Sequence, residues 1–490
     1  MAALRSLPVC LCLALTAPSG GFVPSWEVLP PAPAVTKPAS PPPTESVAHY
    51  IQALLDTTAA GSLRAADESR GLQAGAAVRA FFGADYAPAW GTVPDSLNTS
   101  AALALLARAA EHGLSADDYR LNQLRALRDS VGRTRHPALA QQARLEVYLS
   151  DAVLAFLRDL RRGRLRPYTA SAGEKAAGPA GQPAPVLRAA LAGHNVPAAL
   201  QASQPANREY RQLQQALAQW LAAPVPPDSA ARRRAQYEQV ALNLERWRWD
   251  DIPPEAEYIL INLPAYELEV IARDSVQRRH RVVVGKPETP TPTLSSRLSH
   301  FTLAPDWHVP QSIAIKEILP RLKKDPGYLY RNNYRLTDAQ GRGRNPWHIN
   351  WANVTEENFN YTVRQSACCD NALGNIVFRF ANPYSVYLHD TPARALFKSA
   401  GRALSHGCIR LQNPMLLAAY LLRREGRPVQ LPTEDECAEM PRPRDVRLNR
   451  PLPLYVRYAT CTAENGRLRF MADVYHRDES LRQALFGLRP

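Results

Sequence analysis

Nowhere in the 490 residues is there a run near the ~18 consecutive apolar residues of a membrane span, so nothing past the N-terminus is a transmembrane candidate. Fixed-period repeats are missing too, which sets aside solenoids and propellers. The chain is basic, with 59 Lys and Arg against 45 Asp and Glu, a net charge of +14 and a pI near 9.6. Yet it has none of the basic-aromatic motifs of nucleic-acid modules, and no nucleic-acid partner is expected. Its densest basic runs are only Arg161-Arg162 and Arg232-Arg233-Arg234, so the excess reads as solvated surface with some attraction to anionic polymers. Cysteines are few, seven in all, and the adjacent pair Cys368-Cys369 lacks the two-residue spacing of zinc modules.

The N-terminus has the parts of an export signal. Met1 to Arg5 carries one positive charge, Leu7 to Thr16 is a short apolar core, and Ala17-Pro18-Ser19 offers small residues for cleavage. Residues 1–19 therefore read as a signal peptide. Without Cys10 and Cys12, five of the seven cysteines remain, and an odd number in an exported chain leaves at least one thiol free. Compartments outside the cytoplasm oxidise thiols that have partners, so a thiol kept there is either reactive or buried and inert.

Prolines crowd together from Phe22 to Thr44, giving an extended tether over 20–45. Helical periodicity follows. Leu103, Leu106, Ala107 and Ala110 share a face that ends at Gly113, and Leu145, Leu149, Ala152, Phe156 and Leu160 mark a longer helix stopping near Gly163. Breaks fall at Ser171 to Pro185 and at Pro224-Val225-Pro226-Pro227. Past Trp249 the period becomes two, through Tyr258-Ile259-Leu260-Ile261, then Leu268, Val270 and Ala272, then Arg281 to Val284 ending at Gly285. Further strands are predicted at Ile376 to Phe380, Ser385 to Leu388 and Leu454 to Tyr458, with a helical insertion from Gln311 to Tyr330 around Pro320. The fold class is α+β: a mainly helical domain over 46–245, then a β-rich domain over 246–490.

The chemistry concentrates in one stretch. Tyr387-Leu388-His389-Asp390-Thr391-Pro392 is followed, fifteen residues beyond His389, by Ser405-His406-Gly407-Cys408-Ile409-Arg410-Leu411. Acyl transfer by cysteine needs a thiolate, a base and donors for the oxyanion. A nearby imidazole makes Cys408 a nucleophile candidate and His389, at the end of an apolar strand, its positioned base. Gly407 permits unusual dihedrals, so the amides of Gly407 and Cys408 are candidates for an oxyanion hole. A zinc reading draws on His389, His406, Cys408 and the Cys368-Cys369 pair, but no second paired motif appears, and neither metal nor cofactor is expected.

His389 with that gap before Ser405-His406-Gly407-Cys408 closely resembles the signature of the L,D-transpeptidases, the YkuD-type catalytic domain. Asn243 to Trp249, Thr291-Pro292, Trp307-His308-Val309-Pro310, Asn371-Ala372-Leu373-Gly374 and Tyr387 to Pro392 also look like the long periplasmic form. Tyr86 to Trp90, Gly113-Leu114 and Asp118-Tyr119 are similar to its helical scaffold. The resemblance implies a periplasmic enzyme that joins peptidoglycan stem peptides between third-position residues. Cys408 would attack the donor tetrapeptide and expel its terminal D-alanine, and a diaminopimelate amine of the acceptor would take the thioester. His389 would carry protons, oriented by a backbone carbonyl rather than by Asp390. Ser405 and His406 would shape the nucleophile loop, Arg410 would bind a substrate carboxylate, Tyr387 would line the site, and carbapenems would acylate Cys408. The same residues would serve an L,D-carboxypeptidase, an endopeptidase or a lipoprotein-detaching hydrolase, whereas the intact Cys408-His389 pair argues against a merely wall-binding protein. An insertion at about 307–361 falls where the family has a lid, expected to move. Two departures stand out. Only Ala223 to Gln239 is available where relatives carry a wall-binding module, and Ala367-Cys368-Cys369-Asp370 replaces a Pro-Gly-rich approach.

Overall fold

The computed structural model describes residues 45–56, 71–91, 97–133, 138–165, 182–224, 230–250, 257–367, 370–427, 430–439 and 442–487. The expected leader 1–19, the tether up to residue 44, Cys368-Cys369 and most of both proline-bearing breaks lie outside these residues. The helical region contains α1 (Val47–Asp56), α2 (Gly75–Phe82), α3 (Leu97–Ala107), α4 (Leu121–Gly132), α5 (Leu139–Arg162), α6 (Pro183–Ala192), α7 (Val196–Ser203), α8 (Arg208–Ala222) and α9 (Ala230–Arg248). Helix α5 is its hub. From Val153 to Leu157 every residue is buried, a pattern that places other helices on all sides. Accordingly α1, α2, α4, α6 and α7 all pack against it.

The predicted stop at Gly163 has a steric cause. Its φ is +80°, and a Cβ there would come within 2.5 Å of Glu245 Oε1 and 2.6 Å of Trp249 Nε1. Glu245 pairs at 3.1 Å with Arg248, both fully buried, and Arg248 also donates to the His112 carbonyl. Gly163 thus seats the end of α5 on the end of α9. Gly163→Ala combines a left-handed conformation with overpacking, and a loss of about 2–4 kcal/mol is expected. The urea midpoint checks it; a midpoint equal to the parent's contradicts the reading.

The second region is β-rich. Its strands are β1 (Glu257–Asn262), β2 (Glu267–Ala272), β3 (Ser275–Gly285), β4 (Leu294–Leu303), β5 (Trp307–His308), β6 (Tyr334–Thr337), β7 (Thr362–Gln365), β8 (Ile376–Phe380), β9 (Leu388–His389), β10 (Ala403–Ser405), β11 (Ile409–Leu411), β12 (Arg444–Arg457), β13 (Cys461–Glu464) and β14 (Arg467–Phe470). The main sheet runs β10-β3-β11-β9-β8-β4-β12-β1-β2, and β2 also pairs with β3, so the ladder closes on itself. The long strand β3 makes this possible, with its first half on β2 and its second half on β11. Among the described strands, only β1–β12, β9–β11 and β3–β10 are parallel. Inside lie Ile259, Val270, Val282, Phe301, Phe378, Leu388 and Ile409, joined by Leu417 and Leu421 of α10 (Pro414–Arg424). Outside, Tyr210, Leu213 and Leu217 of α8 and Val240, Leu244 and Trp247 of α9 pack on Tyr258, Leu260 and Tyr455.

The strand predicted at Ser385 to Leu388 is shorter than expected. Ser385 has φ +56°, and the Asn382 side chain accepts from the N–H groups of Tyr384 and Val386, so this stretch is a turn and pairing starts at Leu388. The helical insertion is present over Gln311–Lys324, with a π turn at Ala314–Ile318 just before Pro320, which has no N–H for the regular ladder. Strands β5, β7 and β6 form a small sheet beside it. This insertion has its own core of Val309, Ile318, Leu322, Leu336, Trp351 and Val363.

Candidate active site

Strand alternation builds the site. Leu388 and Ile409 are paired in register and point into the core at 0% exposure. Their neighbours must therefore face the other way, which puts Tyr387 and His389 of one strand beside Cys408 and Arg410 of the next. His389 pairs directly with Arg410, and Ile409 N–H donates to the Tyr387 carbonyl at 3.0 Å. All four side chains share one face.

His389 is buried, and its Nδ1 lies 2.6 Å from the backbone oxygen of Asp390. A carbonyl only accepts, so Nδ1 carries the proton and Nε2 keeps a free lone pair. The Asp390 carboxylate points elsewhere, accepting from Asn375 N–H at 3.0 Å, with Gly374 so close that a Cβ there would sit 2.5 Å away. Burial, and secondarily the Arg410 charge, push the His389 pKa down to about 3. The imidazole is therefore neutral across the ordinary pH range and ready to accept a proton.

Cys408 is half-buried, and its sulfur lies 4.0 Å from the Ser385 carbonyl. Burial pushes the thiol pKa up, with Tyr387 and Arg410 opposing. The Tyr387 ring stands edge-on to His389 at 5.6 Å, and its hydroxyl is held above the usual phenol range by burial first and by Cys408 second. The resting pair is thus neutral thiol and neutral imidazole. A thiolate on Cys408 would have to be made by passing its proton to a base, and Nε2 of His389 is the candidate on the same face.

The nucleophile loop is held from four directions. Ser405 Oγ donates to the Cys408 carbonyl at 2.6 Å and accepts from Gly407 N–H at 3.1 Å. That amide is already engaged, so of the two amides proposed for the oxyanion hole only the Cys408 N–H stays a candidate. Gly407, at φ +114°, has its carbonyl bound by Thr291 Oγ1 at 2.8 Å. Thr291 Oγ1 also accepts from Gly285 N–H, and Gly285 is boxed in by Thr289 O only 2.1 Å from where a Cβ would be. Tyr475 OH donates to the Gly285 carbonyl at 2.8 Å. His406 reaches out of the loop to Glu317 of the insertion, Nε2 to Oε1 at 2.7 Å. Arg410 is partly buried, with its Nε lacking a hydrogen-bond partner among the described residues. The supports Gly285, Thr291, Glu317 and Tyr475 were missed as site residues. In the sequence Gly285 shows only as the end of a strand and Thr291-Pro292 only as part of the family resemblance.

The sign of the pH dependence follows from these states. The candidate base is neutral His389, a state lost only as pH falls through about 3. Acylation of Cys408 by an activated ester is expected to show no acid limb near the usual histidine pKa of about 6.5. A limb between about 6 and 7 in the rate–pH profile contradicts this.

No group of three or more His, Cys, Asp and Glu suited to a metal occurs among the described residues. The sequence compares with known proteins as follows. Residues 256–431 match the model of the YkuD L,D-transpeptidase catalytic domain, and residues 76–217 match a scaffold domain. A Haemophilus influenzae protein provisionally named an L,D-transpeptidase is 33% identical over 278 residues, which cover 57% of this chain and 54% of that protein. The match thus spans about half the length of this curated relative. Two solved structures overlap only loosely. One, the Ldtfm–avibactam carbamoyl enzyme, is 14% identical over 41% of this chain and 49% of its own, at a TM-score of 0.20. The other, an L,D-transpeptidase from Mycobacterium smegmatis, is 15% identical over 41% and 58%, at 0.19. Two family models thus fall in sequence order, the scaffold domain on the helical region and, over residues 256–431, the L,D-transpeptidase catalytic domain on the strands that bear Cys408 and His389.

Proposed function

We propose that this protein is a periplasmic peptidoglycan transpeptidase that forms 3-3 cross-links through a thioester on Cys408. The observation that carries the reading is the shared face of Cys408 and His389, with Nδ1 tied to the Asp390 carbonyl and Nε2 left free. Nε2 takes the thiol proton as sulfur attacks the carbonyl carbon of the donor's third residue. The Cys408 N–H stabilises the oxyanion. Collapse breaks the C–N bond, and the proton on Nε2 passes to the departing D-alanine amine. The acceptor's side-chain amine then attacks the thioester, gives its proton to Nε2, and the C–S bond breaks. The proton returns to sulfur, and the cycle closes without a metal or cofactor. Arg410, whose Nε has an unused donor, takes a carboxylate of the donor stem.

Incubation with disaccharide-tetrapeptides, with products weighed, tests this. Dimers lacking one D-alanine are expected when an acceptor amine is present. Tripeptide alone, with acceptor in excess, makes the enzyme a hydrolase instead.

A further inference from the structure

A cavity of about 640 Å³ lies away from Cys408, where the end of α9, β12 and α11 (Asp478–Phe486) meet. None of Tyr387, His389, Cys408 or Arg410 lines it. Its wall combines three aromatic rings, Trp247, Trp249 and Tyr458, with three arginines. Two of the arginines are committed elsewhere: Arg457 to Asp250 at 2.8 Å and Arg246 to Asp478 at 2.7 Å. Arg477 is different. Its guanidinium stacks on Tyr458 at 5.0 Å and on Tyr475 at 5.4 Å, and no carboxylate pairs with it among the described residues. Those two rings are themselves stacked at 5.5 Å, so the cation is held in place rather than waving in solvent. Trp249 contributes its ring face, its indole nitrogen being buried against Gly163.

The cavity therefore offers flat apolar faces and one unpaired cation. A ligand that answers both has C–H faces for the rings and a carboxylate for Arg477. An N-acetylated sugar carrying an acidic peptide has this chemistry. We propose that the cavity is a second substrate-holding site, binding a disaccharide-peptide of the wall polymer while another stem occupies Cys408. The identity of the ligand rests on the function proposed above; the site itself rests on the cavity. It is also joined to the nucleophile loop, because Tyr475, under Arg477, holds the Gly285 carbonyl.

The test uses full-length Cys408→Ala protein, which cannot turn the ligand over, with titration calorimetry against disaccharide-tetrapeptide, disaccharide alone and tetrapeptide alone. The parent is expected to show two bound fragments per chain. Ser480→Trp fills the cavity from its exposed rim and should reduce this to one. Arg477→Gln should weaken that same component about tenfold for the peptide-bearing ligands and leave the disaccharide unchanged. The proposal is overturned if the parent binds a single fragment, or if two still bind to Ser480→Trp. Failure of the catalytic reading looks different: the protein with Cys408 intact then forms no acyl adduct, while the component sensitive to Ser480→Trp persists in Cys408→Ala.

Discussion

Cys408→Ala is expected to yield no cross-linked product, no tripeptide and no covalent adduct. Every step of the proposed path runs through a bond to that sulfur, and nothing else on the shared face of β9 and β11 replaces it. Tyr387 is held well above the usual phenol range by burial first and by Cys408 second, so it stays protonated and is no substitute nucleophile. His389 has its free Nε2 but lacks the support for an acyl-imidazole, since Nδ1 is fixed as a donor to a carbonyl. The variant should fold normally, because the sulfur's contact to the Ser385 carbonyl is long, at 4.0 Å. Loss of product at an unchanged thermal midpoint is the expected result. Cys408→Ser sharpens it: a hydroxyl is much harder to deprotonate, and an imidazole with a pKa of about 3 is a weak base toward it. Parent-level turnover by the serine variant would sink the thiolate path.

His389→Ala is expected to lower turnover by about a hundredfold or more, the typical contribution of a positioned general base. The thiol makes the effect severe. Burial raises its pKa, so at neutral pH almost no thiolate exists unless a base removes the proton. The variant also predicts its own rescue. With no internal base, the rate should climb as pH rises into the alkaline range where the thiol ionises unaided. The loss relative to parent should shrink accordingly. A merely structural role for His389 gives a loss that is the same at every pH. Because the imidazole is buried, assays belong well below the variant's unfolding temperature.

Some of this was legible in the chain because it is local. The strand at Ile376–Phe380 and the long helix ending before Gly163 appear where periodicity and glycine put them. The α+β class follows from the change of period near Trp249. His389 and Cys408 stood out because the pair lies in one short motif, and the resemblance to a family gave it a reaction. What stayed hidden depends on contacts between distant segments. Thr291 holds the Gly407 carbonyl across 116 positions, and Tyr475 reaches Gly285 across 190; neither leaves a local mark. Strands β5, β6 and β7 span two to four residues, too few for period two to register. Ser385 looked like strand because its neighbours are apolar, but Asn382 turns the backbone there. Helix α9 begins Ala230-Ala231-Arg232-Arg233-Arg234 and reads as a solvated helix. Its last two turns nevertheless bury Glu245 and Arg248, which pair with each other, and Asn243, whose side chain bonds Thr460.

The most direct measurement is the mass of the intact protein after exposure to a carbapenem, followed by digestion. A strained β-lactam carbonyl stands in for the donor amide, so sulfur attack opens the ring and leaves a thioester with nothing to depart. One adduct per chain is expected, confined to the tryptic peptide from Ala403 to Arg410, slow to form in His389→Ala, absent in Cys408→Ala and indifferent to chelator. Cys437 and Cys461 are buried with thiols pushed up by that burial, and they should stay unmodified. An adduct on any cysteine other than Cys408, or an undiminished adduct in Cys408→Ala, contradicts the account.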